Sequence, residues 1–151
     1  MEIVSPHLLF SDELDLFLGD LKIQLKFVGG HSPATISIYV PSEGVLFAGD
    51  NIENECHPSM IGARFDILLK ILKKIEEMNI EYIIPGHGPV GNRELATKQR
   101  RYYEEMWEYT KNLKDSGTGK EEITRRVVKH MLTYLPVPDE EAKSAMEMVM
   151  T

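Results

Sequence analysis

The sequence predicts an α/β (α+β) fold: a mixed sheet with flanking helices and a helical C-terminal extension. Three observations carry this. The first part of the 151-residue chain alternates apolar and polar residues with a period of two. The middle switches to the helical spacing of three and four. A short apolar strand then returns at Tyr82 to Ile84, and from Asn92 onward only helical patterns follow. A strand, helix and strand in succession imply a crossover connection and hence a parallel pair inside the sheet.

Taken in order, a weak strand pair is expected at His7 to Phe10 and Leu14 to Leu18, ended by Gly19-Asp20. Leu21, Ile23, Leu25 and Phe27 alternate with Lys22, Gln24 and Lys26, which marks a strand with one apolar and one wet face. Ile36, Ile38 and Val40 alternate in the same way. Pro41-Ser42-Glu43-Gly44 is a turn by composition, and Val45 to Ala48 is a continuous apolar run, so these segments form a hairpin. Phe65, Leu68, Leu69, Leu72, Ile75 and Met78 lie on one face of a helix whose other face carries Lys70, Lys73, Lys74, Glu76 and Glu77. Pro85 is expected to stop the strand at Tyr82 to Ile84. A helix follows from about Arg93 to Leu113 with Asn92 as its N-cap. The Ser116 to Gly119 break separates it from a second helix at about Lys120 to Leu135. A third, short helix is expected from Asp139 to Met150. The one subdivision falls near Gly91: residues 1–91 form a strand-rich unit, and residues 92–151 a helical extension packed on it.

Composition excludes several classes. Apolar residues make up 42%, which suits a packed core. The net charge of −7 gives no general reason to bind nucleic acid or an anionic membrane. Lys98, Arg100 and Arg101 read as a solvated helix face. No apolar run approaches the ~20 residues that span a bilayer. The single cysteine, Cys56, permits no internal disulfide and fits a reducing cytoplasm. Tyr102, Tyr103, Trp107 and Tyr109 sit at helical spacing and are expected to pack, and His130 is expected to be a packed or surface histidine.

Three loops, each read as following a strand, carry a metal-binding side chain beside glycine: Gly29-Gly30-His31, Gly49-Asp50 and Pro85-Gly86-His87-Gly88. Imidazole and carboxylate hold zinc, iron or manganese, and glycine lets the backbone turn sharply or pass close to a ligand. A carboxylate at the end of a buried strand is costly unless it is paired, hydrogen-bonded or metal-bound. If the three strands share a sheet, the side chains meet on one rim. His57, in the loop after Asp50, is a possible additional ligand.

The succession Gly-His-Ser-Pro, Leu-Phe-Ala-Gly-Asp and Ile-Ile-Pro-Gly-His-Gly resembles the metallo-β-lactamase superfamily. The resemblance covers about residues 5 to 115 and is to the C-terminal half of the family domain. It implies half of an αββα sandwich, with His31 on one metal, Asp50 bridging two, and His87 on the second. It implies zinc (or iron or manganese), one or two ions, and a metal-dependent hydrolase acting at a carbonyl or phosphorus centre of a small molecule. The family's His-x-His-x-Asp-His run does not occur in these 151 residues. That run supplies two ligands to each metal, so the function expected here is a hydrolase incomplete as a single chain. The alternative is an inactive truncated or split-domain protein acting as an oligomeric or partner-binding module. Half a sandwich leaves one apolar sheet face open. The expected partner is therefore a second copy of the chain, forming a dimer, or a complementary N-terminal half.

Overall fold

The computed structural model describes residue 4 and residues 7–134. Five strands form one sheet in sequence order: β1 (Glu13–Leu18), β2 (Leu21–Phe27), β3 (Ile36–Val40), β4 (Val45–Glu53) and β5 (Tyr82–His87). The first four pair antiparallel with one another, and β5 runs parallel to β4. The crossover between β4 and β5 carries α1 (Phe65–Glu77). Two further helices follow, α2 (Glu94–Asp115) and α3 (Lys120–Tyr134). The architecture is the expected mixed α/β one.

Residues 7–10 form no strand; β1 begins at Glu13 and pairs with β2 instead. The larger corrections concern β4 and β5. Gly49-Asp50 does not end its strand, because β4 runs on to Glu53. Gly49 lies at φ 55°, a conformation that glycine adopts without strain, and the pairing with β5 shifts register on both sides of it. This is a bulge, and a bulge re-aims the side chains that follow it. Pro85 does not stop β5, which continues to His87. Beyond Ile83, whose outer side pairs with Gly91, β5 is an edge, and an edge strand tolerates a residue without an N–H. The expected third helix at Asp139 to Met150 lies outside the described residues.

Register separates two faces of the sheet. Leu14, Leu25, Ile38, Phe47 and Ile84 are successive cross-strand partners on one of them. Asp15, Gln24, Tyr39, Leu46 and Ile83 form the matching line on the other. The helices cover the second face. Leu46, Ala48 and Ile83 join Leu68, Leu72 and Ile75 of α1 in one buried cluster that continues to Leu95, Ala96, Tyr102 and Tyr103 of α2 and Met131 of α3. Phe65 stacks on Trp107 and meets Tyr103 edge-on, and Arg100 pairs with Glu76 at 3.0 Å, so α1 and α2 are locked together. The N-cap of α2 is Arg93, which makes no side-chain cap bond, and not the expected Asn92; Asn92, one residue earlier, accepts the Glu94 N–H through Oδ1 at 2.9 Å. The first face carries no member of the buried cluster. On it Leu16, Phe27, Ile36, Phe47 and Tyr82 are exposed.

Candidate metal centre

β4 and β5 end side by side, and the carboxyl ends of parallel strands are where α/β sheets bind ligands. His31 reaches this rim from the loop after β2. Its place is fixed by a residue the sequence reading passed over. Asn51, fully buried one position beyond Asp50, accepts the His31 N–H through Oδ1 at 2.8 Å and donates through Nδ2 to the Gly29 carbonyl at 2.9 Å. One amide thus clamps both sides of the Gly29-Gly30-His31 turn. Gly30, at φ 98°, is the residue that lets the clamp close, since a Cβ there would stand 2.5 Å from Asn51 Oδ1. The signal available in sequence was an amide directly beside a candidate ligand in Gly-Asp-Asn-Ile.

Asp50 is central. His31 Nε2 lies 3.8 Å from its Oδ2, and His87 Nε2 lies 3.7 Å from its Oδ1. The two imidazoles therefore face different oxygens of one carboxylate. Both separations are too long for a hydrogen bond. Both are short enough for a cation bonded at about 2.0–2.2 Å to an imidazole nitrogen and a carboxylate oxygen. His31 Nδ1 is buried with no hydrogen-bond partner among the described residues.

The chemistry of the donors fits a metal. Their number is short of a complete site: among the described residues no three His, Cys, Asp or Glu side chains are grouped to hold one ion. The arrangement is one imidazole and one carboxylate oxygen on each side of Asp50. A catalytic zinc ordinarily has three protein ligands and an open position.

A second cluster borders the first. Glu53 pairs in register with His87, and the Asn54 N–H donates to the His87 carbonyl at 2.9 Å. Glu53 is buried; desolvation pushes its carboxyl above the ordinary range, against the opposing hydrogen bonds from the Ser59 N–H and the Cys56 thiol. Gln99 of α2 ties the strand end down, its Oε1 facing the Glu53 N–H at 3.4 Å and its Nε2 donating to Tyr103 at 2.9 Å. His57 lines a shallow, open depression with Glu53, Cys56 and His87. Its Nδ1 lies 2.7 Å from the Tyr102 hydroxyl, and its Nε2 is buried without a hydrogen-bond partner among the described residues. His57 thus borders the same depression as His87 and is not one of the two imidazoles that face Asp50. Burial raises the Tyr102 phenol and pushes that of Tyr103 up to about 12, so both keep their protons at neutral pH. His130 is remote from the site; it pairs with Glu105 at 2.7 Å and stacks on Tyr109.

Comparison with known proteins follows the same lines. A family model described as the Metallo-beta-lactamase superfamily matches residues 4–87. A protein named Metallo-beta-lactamase type 2, from Bacteroides fragilis, is 31% identical over 99 residues, covering 60% of this chain and 39% of its own length. A Linear primary-alkylsulfatase from Pseudomonas sp. (strain ATCC 19151) is 25% identical over 146 residues, covering 88% of this chain and 28% of its own. The crystal structure of a metallo-beta-lactamase family protein from Thermus thermophilus superposes with a TM-score of 0.68 at 19% identity, over 82% of this chain and 44% of that one. The chain thus spans less than half the length of these relatives. No helix among the described residues is long and apolar enough to cross a membrane.

Proposed function

Because this chain belongs to the metallo-β-lactamase superfamily, we propose that it carries part of a metal-dependent hydrolytic centre, with His31, Asp50 and His87 as its contribution. The observation that carries this reading is the placing of two imidazoles on the two oxygens of Asp50, at 3.8 and 3.7 Å. His31 would hold one ion, His87 another, and Asp50 would span both; zinc, iron and manganese all suit this donor set. A bound divalent ion supplies Lewis acidity and lowers the pKa of a water to about 7. The protein's own part is to fix the donors: Asn51 holds the His31 turn, and the bulge at Gly49 turns Asp50 to the rim. The shallow depression beside His87 would form one side of the site for a small-molecule substrate with a hydrolysable carbonyl, sulfur or phosphorus centre.

With two donors per ion, the centre is incomplete in this chain alone. The open apolar face of the sheet, running from Leu14 to Ile84, supports a complementary N-terminal half as the partner that would cover it. A second copy of the chain is the other way to cover it. Its single cysteine supports the cytoplasm as the compartment.

Protein purified without chelator should contain zinc, iron or manganese, and should turn over lactam, thioester, lactone, phosphodiester and sulfate-ester substrates slowly or not at all. Light scattering on the same sample should find an assembly larger than a monomer. Less than a tenth of an equivalent of metal per chain would remove the metal centre from this chain, and a clean monomer would remove the claim that the open face drives assembly.

A further inference from the structure

α1 lies against β4 with α2 on one flank, and on its other flank a groove runs above β2 and β3. The groove encloses about 370 Å³, within the range of small-molecule sites, which is about 300–1,000 Å³. Its helix wall is the apolar stripe Ile67, Ile71, Ile75 and Met78. Leu46 and Ala48 of β4 form the apolar base.

Charge is distributed unevenly around this trough. On the strand side the charges cancel: Lys22 pairs with Asp15 at 2.8 Å, and Lys26 pairs with Glu13. On the helix side Lys70 and Lys74 also line the groove, one turn apart, both exposed. Neither makes an ion pair among the described residues. Asp66, whose charge reaches Lys70, is already held by two nitrogens of Arg64 at 3.1 and 3.2 Å. Two uncompensated ammonium groups therefore edge an apolar trough on a chain whose net charge is −7. Lysine arranges its methylenes along apolar surface and keeps its charge at the rim.

We propose that this groove binds an amphiphilic anion: a single alkyl chain along the Ile67–Met78 stripe, with a carboxylate headgroup between Lys70 and Lys74. The site lies on the helix-covered face, so it is separate from the open apolar face; Asn51, which clamps the His31 turn, borders it from the side of the metal centre.

The test is a methyl-detected NMR titration of the protein with sodium octanoate below its micellar concentration. The methyls of Ile67, Ile71, Ile75 and Met78 should shift saturably. Lys70→Glu/Lys74→Glu should weaken binding at least tenfold, Lys70→Gln/Lys74→Gln by a smaller factor, and octan-1-ol should bind wild type at least tenfold more weakly than octanoate. Both pairs are exposed, and the spectra of the variants report their folding directly. Shifts confined to Leu14, Leu16, Ile38 and Ile84 on the opposite face would overturn the proposal. So would equal affinity for octanoate and octan-1-ol, an unchanged affinity in the charge-reversed variant, or no saturable shift.

Discussion

Gly86→Ala is expected to destabilise the protein by roughly 3 kcal/mol, the upper end of the cost of forcing extra volume into a packed site. The reason lies in how closely β5 crosses Asp50. A Cβ at residue 86 would overlap Asp50 Oδ1, and it would stand 2.7 Å from the Asp50 backbone nitrogen and 2.8 Å from the Gly49 carbonyl carbon. The carboxylate alone could swing aside, but the backbone of β4 cannot move without breaking the β4–β5 pairing. Two effects should appear together. Urea unfolding should shift to a lower midpoint with an unchanged slope. Metal affinity should fall as well, because the displaced carboxylate is the one that both imidazoles face. If the variant kept wild-type stability and metal affinity, β5 would not approach Asp50 as described.

Asn51→Leu is the second large effect. Leucine has the same number of side-chain heavy atoms and the same branching but no polar side-chain atoms, so it leaves the His31 N–H and the Gly29 carbonyl without their partners. Each buried group that loses its hydrogen bond costs about 1–3 kcal/mol, so the expected loss is about 2–4 kcal/mol by urea denaturation. Asn51→Asp separates the two bonds. It retains an acceptor for the His31 N–H and loses the donor to Gly29, and it places a charge where the native amide is fully buried. Both variants should loosen His31 and leave His87 in place, since His87 is held from β5 and through Asn54. A variant that loosened both histidines equally would make Asn51 a general core residue and nothing more specific.

The strand pattern was legible because β2, β3 and the start of β4 alternate cleanly, and α1 because its apolar stripe has helical spacing over thirteen residues. The ends of β4 and β5 were not. Gly49 and Pro85 are breakers by composition. Here the first is absorbed by a bulge and the second by the edge of the sheet, and both depend on a partner strand that local sequence does not reveal. The candidate ligands were readable as residue types, and the family resemblance implied that Asp50 lies between the two histidines; composition and spacing alone did not give that arrangement. In the structure His31 and His87 take opposite oxygens of Asp50. Asn51 was invisible as a positioning residue because its two hydrogen bonds span 20 and 22 residues. The packing of Tyr103 and of Phe65 on Trp107 followed expectation, although Trp107 remains 58% exposed while it stacks.

The central claim is that residues 31 and 87 direct their Nε2 atoms at two cations bridged by Asp50. Nitrogen-15 spectra of the histidine side chains during a zinc titration test it most directly. The Nε2 resonances of His31 and His87 should both move to the metal-bound range, and Asp50→Ala should weaken both responses together. If zinc left these two nitrogens unchanged and moved only His57 or His130, the metal centre described here would be contradicted.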